Sequence, residues 1–185
     1  NNFKISKDSI VNTANKNKVD SIVLINPNNP DGSYFSIDDI TSILEKLRHL
    51  DTIIIDESFI HFAYENENLS PLSVTSLVNG FPNLIVIKSM SKDFGIAGLR
   101  AGYAVMNKSR VSQLKKNGYL WNVSGFTEYF FDLYSRKDFL KEYEKVRKKY
   151  IIETKCFLED FEQLKGIKVY PTKANFILVK KLAFV

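Results

Sequence analysis

Apolar positions fall into two kinds of block along this chain. Residues 21–26 (SIVLIN), 52–57 (TIIIDE), 84–89 (LIVIKS) and 102–106 (GYAVM) are short, largely apolar and rich in β-branched side chains. Such runs predict strands buried inside a sheet. Between the first two lies SIDDITSILEKLRHL, in which Ile37, Ile40, Ile43, Leu44 and Leu47 recur at helical spacing. Ser36 stands where a cap is needed, and Asp38 and Asp39 suit the positive end of a helix. Strand, helix, strand with continuous apolar strands predicts an α/β fold: a mostly parallel sheet covered on both faces, in three αβα layers.

From residue 138 to 164 the pattern is that of one long helix. Phe139, Tyr143, Val146, Tyr150, Phe157, Phe161 and Leu164 lie near one stripe, which predicts that the aromatic members face protein. Lys141, Glu144, Lys145 and Lys148 then face water. The β-branched YIIET segment leaves a division into two helices open. After Gly166, IKVYPTKANFILVKK offers two short strands around Pro171. That change from buried parallel strands to a hairpin-like region predicts a second, smaller α+β domain beginning there. The division expected is 1–136, a connecting helix over 137–165, and 166–185.

Composition narrows the class. Hydrophobic residues are 44% and charged residues 25%, which marks a globular chain rather than a disordered one. No apolar run reaches the 18 residues or so that a membrane span needs, and the opening NNFKISKDS lacks a signal-peptide pattern. The single cysteine, Cys156, excludes an intramolecular disulfide framework and fits a reducing compartment, so a cytoplasmic location is expected. Much of the net charge of +5 comes from KEYEKVRKKY and nearby lysines. Acidic residues interleave there without a stacking pattern of aromatics, so it reads as a solvated helix face and not a nucleic-acid surface. No metal site, membrane or nucleic-acid partner is expected.

The chemistry lies at strand ends, where open α/β sheets bind ligands. The first strand runs into NPNNPDG, the second into DESF and the third into SMSK. Three consecutive ends thus carry an amide, a carboxylate and a lysine. Lys92 is the candidate nucleophile, since a deprotonated lysine forms a Schiff base with an aldehyde. Asp56 is suited to hold a protonated ring nitrogen. Arg100, Ser89 and Ser91 are suited to a phosphate. Each also has a plainer reading: a surface lysine, a turn carboxylate, a surface ion pair and turn serines.

The motif SMSKDFGIAGLRAGY resembles the cofactor-lysine segment of the class I/II aminotransferases, pyridoxal-phosphate enzymes of fold type I. It is most similar to the histidinol-phosphate aminotransferase branch. NPNNPDG resembles that family's asparagine turn, DESFIHF its aspartate segment, and YPTKANFILV the start of its small domain. The order fits as well: Asn29, Asp56 after 27 residues, Lys92 after 36 more and Arg100 after a further 8. The resemblance runs from about residue 20 to 179. It implies that residues 1–136 belong to the large, cofactor-binding domain of that fold, with pyridoxal 5′-phosphate as cofactor. Lys92 then carries the Schiff base and takes the substrate's α-proton. Asp56 pairs with the pyridine nitrogen, Asn29 meets the ring oxygen and lies near the substrate carboxylate, and Ser89, Ser91 and Arg100 hold the phosphate. The implied activity moves an amino group between an amino acid and a keto acid, and the implied assembly is a homodimer.

Two departures qualify this. Many aminotransferases carry a tyrosine three residues after the aspartate, where this chain has Phe59. The same segment, and YLWNVSG at 119–125, resemble the threonine-phosphate decarboxylase branch. Decarboxylation of a phosphorylated hydroxy-amino acid is therefore the alternative reaction. It uses the same lysine and ring but breaks the bond to the carboxylate. Moreover, the family's glycine-rich phosphate loop and ring-stacking aromatic have no counterpart before Asn26, and the arginine that grips the substrate carboxylate in relatives is missing. The chain therefore looks like a fragment, not expected to turn over substrate alone. A folded remnant or interaction module is the reading of another class.

Overall fold

The computed structural model describes residues 3–118 and 123–182. Most of the YLWNVSG segment, residues 119–122, lies outside the described residues. The first elements are α1 (Lys7–Asn17), β1 (Ser21–Ile25), α2 (Ile37–Lys46), β2 (Thr52–Asp56), β3 (Leu84–Ser89) and β4 (Gly102–Met106). They are followed by α3 (Lys108–Lys116), α4 (Gly125–Tyr134), α5 (Lys137–Glu162), β5 (Ile167–Val169) and β6 (Val179–Lys181). The main sheet has the order β1-β2-β3-β4, with β1, β2 and β3 parallel and β4 antiparallel to β3. β5 and β6 form a separate antiparallel pair. This is the mostly parallel α/β arrangement that the apolar runs predict.

α2 follows its sequence closely. The Ser36 hydroxyl accepts from Asp39 N–H, Asp38 and Asp39 occupy the first turn, and Ile40, Ile43, Leu44 and Leu47 are wholly buried. They pack with Val11 and Ala14 of α1 against Ile53 and Ile55 of β2 and Leu84 and Val86 of β3. Burying each such side chain contributes about 1.5–3 kcal/mol.

The strands differ from expectation in one respect. Cover on both faces predicts uniform burial, yet burial alternates along β1, β2 and β3. The inner face lies on α1 and α2. On the other face Val23 is 62% and Ile25 36% exposed, because no described element lies over them.

α5 is one unbroken helix of 26 residues, and its buried line follows the predicted aromatic stripe only at its start, where Phe139 and Tyr143 pack on protein. Arg147 and Ile151 are the buried residues, whereas Val146, Tyr150 and Phe157 are exposed, Phe157 by 52%. The inward line runs through Tyr143, Arg147 and Ile151, at i, i+4 and i+8. A buried arginine hid it: the Arg147 guanidinium donates to the carbonyls of His61 and Leu69 and pairs with Glu144. With its donors satisfied, the guanidinium can lie where an apolar residue was expected.

Candidate active site

The asparagine turn leaves β1 and is built by its own polar side chains. Asn26, buried, exchanges two hydrogen bonds with the backbone of Phe35, at 2.9 and 2.8 Å. The Asp31 carboxylate accepts from the Asn28 amide, the Ser33 N–H and the Ser33 hydroxyl, each at 2.9 Å. Gly32 has φ +69°, and a Cβ there would collide with Thr172, so the turn is clasped directly against the 171–174 segment. The Lys173 N–H donates to Gly32 O at 2.9 Å. Asn29 is left exposed at the tip of this frame.

Asp56 ends β2. Its carboxylate accepts from the Ser58 N–H at 2.9 Å, and the Ser58 hydroxyl accepts from the Ser89 N–H at 3.3 Å. Those contacts tie the second strand end to the third. Beyond β3 the chain passes through Ser89, Ser91 and Lys92 and returns at Arg100, whose φ of 54° turns it into β4. Asp56, Ser58, Ser89, Ser91, Arg100 and Tyr103 line one cleft of about 480 Å³. Arg100 donates to Ala97 O at 3.3 Å and forms no ion pair with a carboxylate among the described residues. Gly102 lies at the cleft wall, where a Cβ would come within 2.8 Å of Lys88 O.

Lys92 lies outside this lining and instead lines, with Asp93, Tyr143 and Asn175, a second cavity of about 130 Å³. The lysine is exposed, with its ammonium 5.7 Å from the centre of the Phe59 ring. Phe59 is itself buried and meets Phe176 edge-on at 5.2 Å. Thus four of the residues singled out by sequence, Asp56, Ser89, Ser91 and Arg100, share one cleft. Lys92 and Phe59 form an adjacent pair, and Asn29 lies outside the cleft lining.

A second set of charges, not marked by any motif, is buried in this region. Glu57 is 1% exposed and accepts from the Ser73 hydroxyl and the Val74 N–H, both at 2.7 Å. Burial raises its carboxyl above the usual range, against the pull of those two donors. Lys88 is buried and pairs with Asp93 at 3.1 Å. Burial lowers the Lys88 ammonium, and Asp93 offsets this only in part. Burial likewise raises the Tyr103 hydroxyl at the cleft, with Tyr134 adding to the effect. The signals were present, in a glutamate directly after the aspartate and a lysine inside an apolar strand, but their partners are distant in sequence.

A hydroxyl pair and an unpaired arginine at one part of a cleft, with a carboxylate elsewhere in its lining, suit a ligand that bears a phosphate and a protonated nitrogen. The model of the aminotransferase class I and II family matches residues 1–184. The chain belongs to that family. Pyridoxal phosphate is the family's cofactor, and the donor set of the cleft fits it. Among relatives, an L-serine phosphate decarboxylase of Campylobacter jejuni is 50% identical over 181 residues, covering 98% of this chain and 46% of that protein. A histidinol-phosphate aminotransferase of a Thermoanaerobacter species is 35% identical, with 96% of this chain and 47% of the relative covered. The solved structure of a decarboxylase from Sulfurospirillum multivorans superposes with a TM-score of 0.94 at 44% identity, covering 100% of this chain and 47% of that one. The chain spans about half the length of these relatives.

Proposed function

We propose that the protein to which this chain belongs is a pyridoxal-phosphate-dependent decarboxylase of a phosphorylated hydroxy-amino acid, with O-phosphoserine as substrate. The observation that carries this is the 50% identity, over 98% of the chain, to an L-serine phosphate decarboxylase. The motifs alone favour amino-group transfer, and the likeness to histidinol-phosphate aminotransferases, at 35% identity, is the support for that second reading. The decarboxylase reading has the stronger support.

In this reading Ser89, Ser91 and Arg100 hold the cofactor phosphate, because two hydroxyls and a guanidinium without a carboxylate partner match a dianion. Asp56, aimed by the Ser58 N–H, holds the proton on the ring nitrogen. When bound, pyridoxal phosphate supplies the sink for the electron pair released at the substrate α-carbon. Phe59 offers an apolar surface under Lys92 and no hydroxyl donor. Asn29, exposed on its turn, is assigned to the ring oxygen and the substrate carboxylate by the family resemblance alone. Lys92 attaches the cofactor and, once displaced, its Nζ gives a proton to the α-carbon in place of the departing carboxylate. O-phosphoserine and one proton thereby become carbon dioxide and O-phosphoethanolamine. The test is the full-length protein with O-phosphoserine as sole amino substrate. Carbon dioxide and O-phosphoethanolamine formed in equal amounts without a keto acid support the reading. Amino transfer to 2-oxoglutarate without gas release refutes it.

A further inference from the structure

Asp93 directly follows Lys92, and its carboxylate is 2% exposed. One oxygen, Oδ2, is met from three elements. Lys88 Nζ of β3 lies at 3.1 Å, His61 Nδ1 of the turn after β2 at 2.5 Å, and the Tyr143 hydroxyl of α5 at 3.0 Å. His61 Nδ1 and the Tyr143 hydroxyl are also 2.7 Å from each other. The other oxygen, Oδ1, is buried and has no hydrogen-bond partner among the described residues. The next residue, Phe94, stacks on the Tyr143 ring at 4.2 Å and 16°. The two residues after Lys92 are thus fixed to α5, the β2 turn and β3, while Lys92 itself is exposed, with its ammonium 5.7 Å from the centre of the Phe59 ring.

A buried carboxylate is costly where an apolar side chain would fill the same space. Here it does what an apolar side chain cannot: it draws three donors to one point and so sets the relative placement of three elements. We propose that Asp93 is a positioning residue, which by gathering Lys88, His61 and Tyr143 onto one oxygen fixes the backbone at Lys92 and with it the reach of Lys92 Nζ into the cleft. This rests on Lys92 being the lysine that takes the cofactor. Small errors in placement are expensive in rate, with about a hundredfold lost for a displacement near 1 Å.

The experiment mixes the full-length apoprotein with pyridoxal phosphate and follows the Lys92-dependent absorption band by stopped flow. Asp93→Asn and Tyr143→Phe are compared with wild type, each well below its unfolding temperature. The band is expected to form about tenfold more slowly in Asp93→Asn and about threefold more slowly in Tyr143→Phe. Turnover should show kcat falling in proportion while KM for the amino substrate stays within about twofold. A lowered unfolding temperature with unchanged band formation and kcat makes Asp93 a purely structural residue and overturns the proposal. Tyr143→Phe keeps the ring on Phe94, so it decides alone if Asp93→Asn does not fold. No band in wild type refutes the cofactor reading and this proposal with it. A normal wild-type band with unslowed variants refutes the positioning role only.

Discussion

Lys88 and Lys92 stand four residues apart at the exit of one strand, in opposite surroundings. Lys88 is buried against Asp93, at 3.1 Å, with Glu57 also acting on it. Lys92 is exposed over the Phe59 ring, without an ion pair among the described residues. A desolvated lysine is the usual image of a reactive one. In this molecule the desolvated lysine, Lys88, is tied into the Asp93 cluster, and the lysine we propose for the cofactor, Lys92, is the exposed one. A lysine held by a carboxylate cannot swing between cofactor and substrate, whereas one resting on an aromatic face can.

The largest effect expected from this contrast is on stability. Lys88→Met should destabilise the full-length protein by about 3–5 kcal/mol in denaturant titrations, because it leaves Asp93 charged and short of a partner. Lys92→Met should stay within about 0.5 kcal/mol, as an exposed substitution does. Equal effects would erase the distinction between the two sites.

Acid titration sharpens it further. Burial by itself would raise the Asp93 carboxyl, but His61 and Lys88 outweigh it and hold the group below the usual value of 3.8. A depressed carboxyl contributes stability that is present above its unfolded pKa and lost as the pH falls through its folded pKa. Glu57 has the opposite sign. Its folded pKa lies above 4.5, so its contribution is present at low pH and lost as the pH rises through that raised value. Unfolding free energies measured across the acid range should therefore fall less steeply below the usual carboxylate pKa in Asp93→Asn. In Glu57→Gln the loss with rising pH above 4.5 should disappear. Unchanged slopes would mean that neither group is paired as described.

The smallest effect belongs to α5. Phe157→Ala on the isolated 185-residue chain should change its stability by less than about 0.5 kcal/mol, since the side chain is half exposed. A cost of about 3–5 kcal/mol would instead place Phe157 in a core.

These expectations mark what was legible in the residues. α2 was, because its cap, first-turn acids and apolar stripe all agree. Asp56, Ser89 and Ser91 were, because they lie at or just past the ends of parallel strands, and Arg100 joins them because β4, antiparallel to β3, begins at that same edge. Asn29 was picked from its turn, but the turn's own scaffold is Asn26 and Asp31, which share its polarity and its segment. The face of α5 was misread because Arg147, which looks solvated, is buried between carbonyls that come from the 61–69 loop. The Asp93 cluster was invisible for the same reason. Its members are separated by up to 82 residues, and nothing local marks His61 or Tyr143 as partners of a carboxylate. Periodicity reports what faces a core, and it is silent where polar groups are buried by mutual satisfaction.

The absorption spectrum of the full-length protein with pyridoxal phosphate, recorded for wild type, Lys92→Ala and Lys88→Met, tests the assignment of Lys92 most directly. The expected result is a cofactor band in wild type and in Lys88→Met, and none in Lys92→Ala. A band that survives in Lys92→Ala and vanishes in folded Lys88→Met would contradict the assignment.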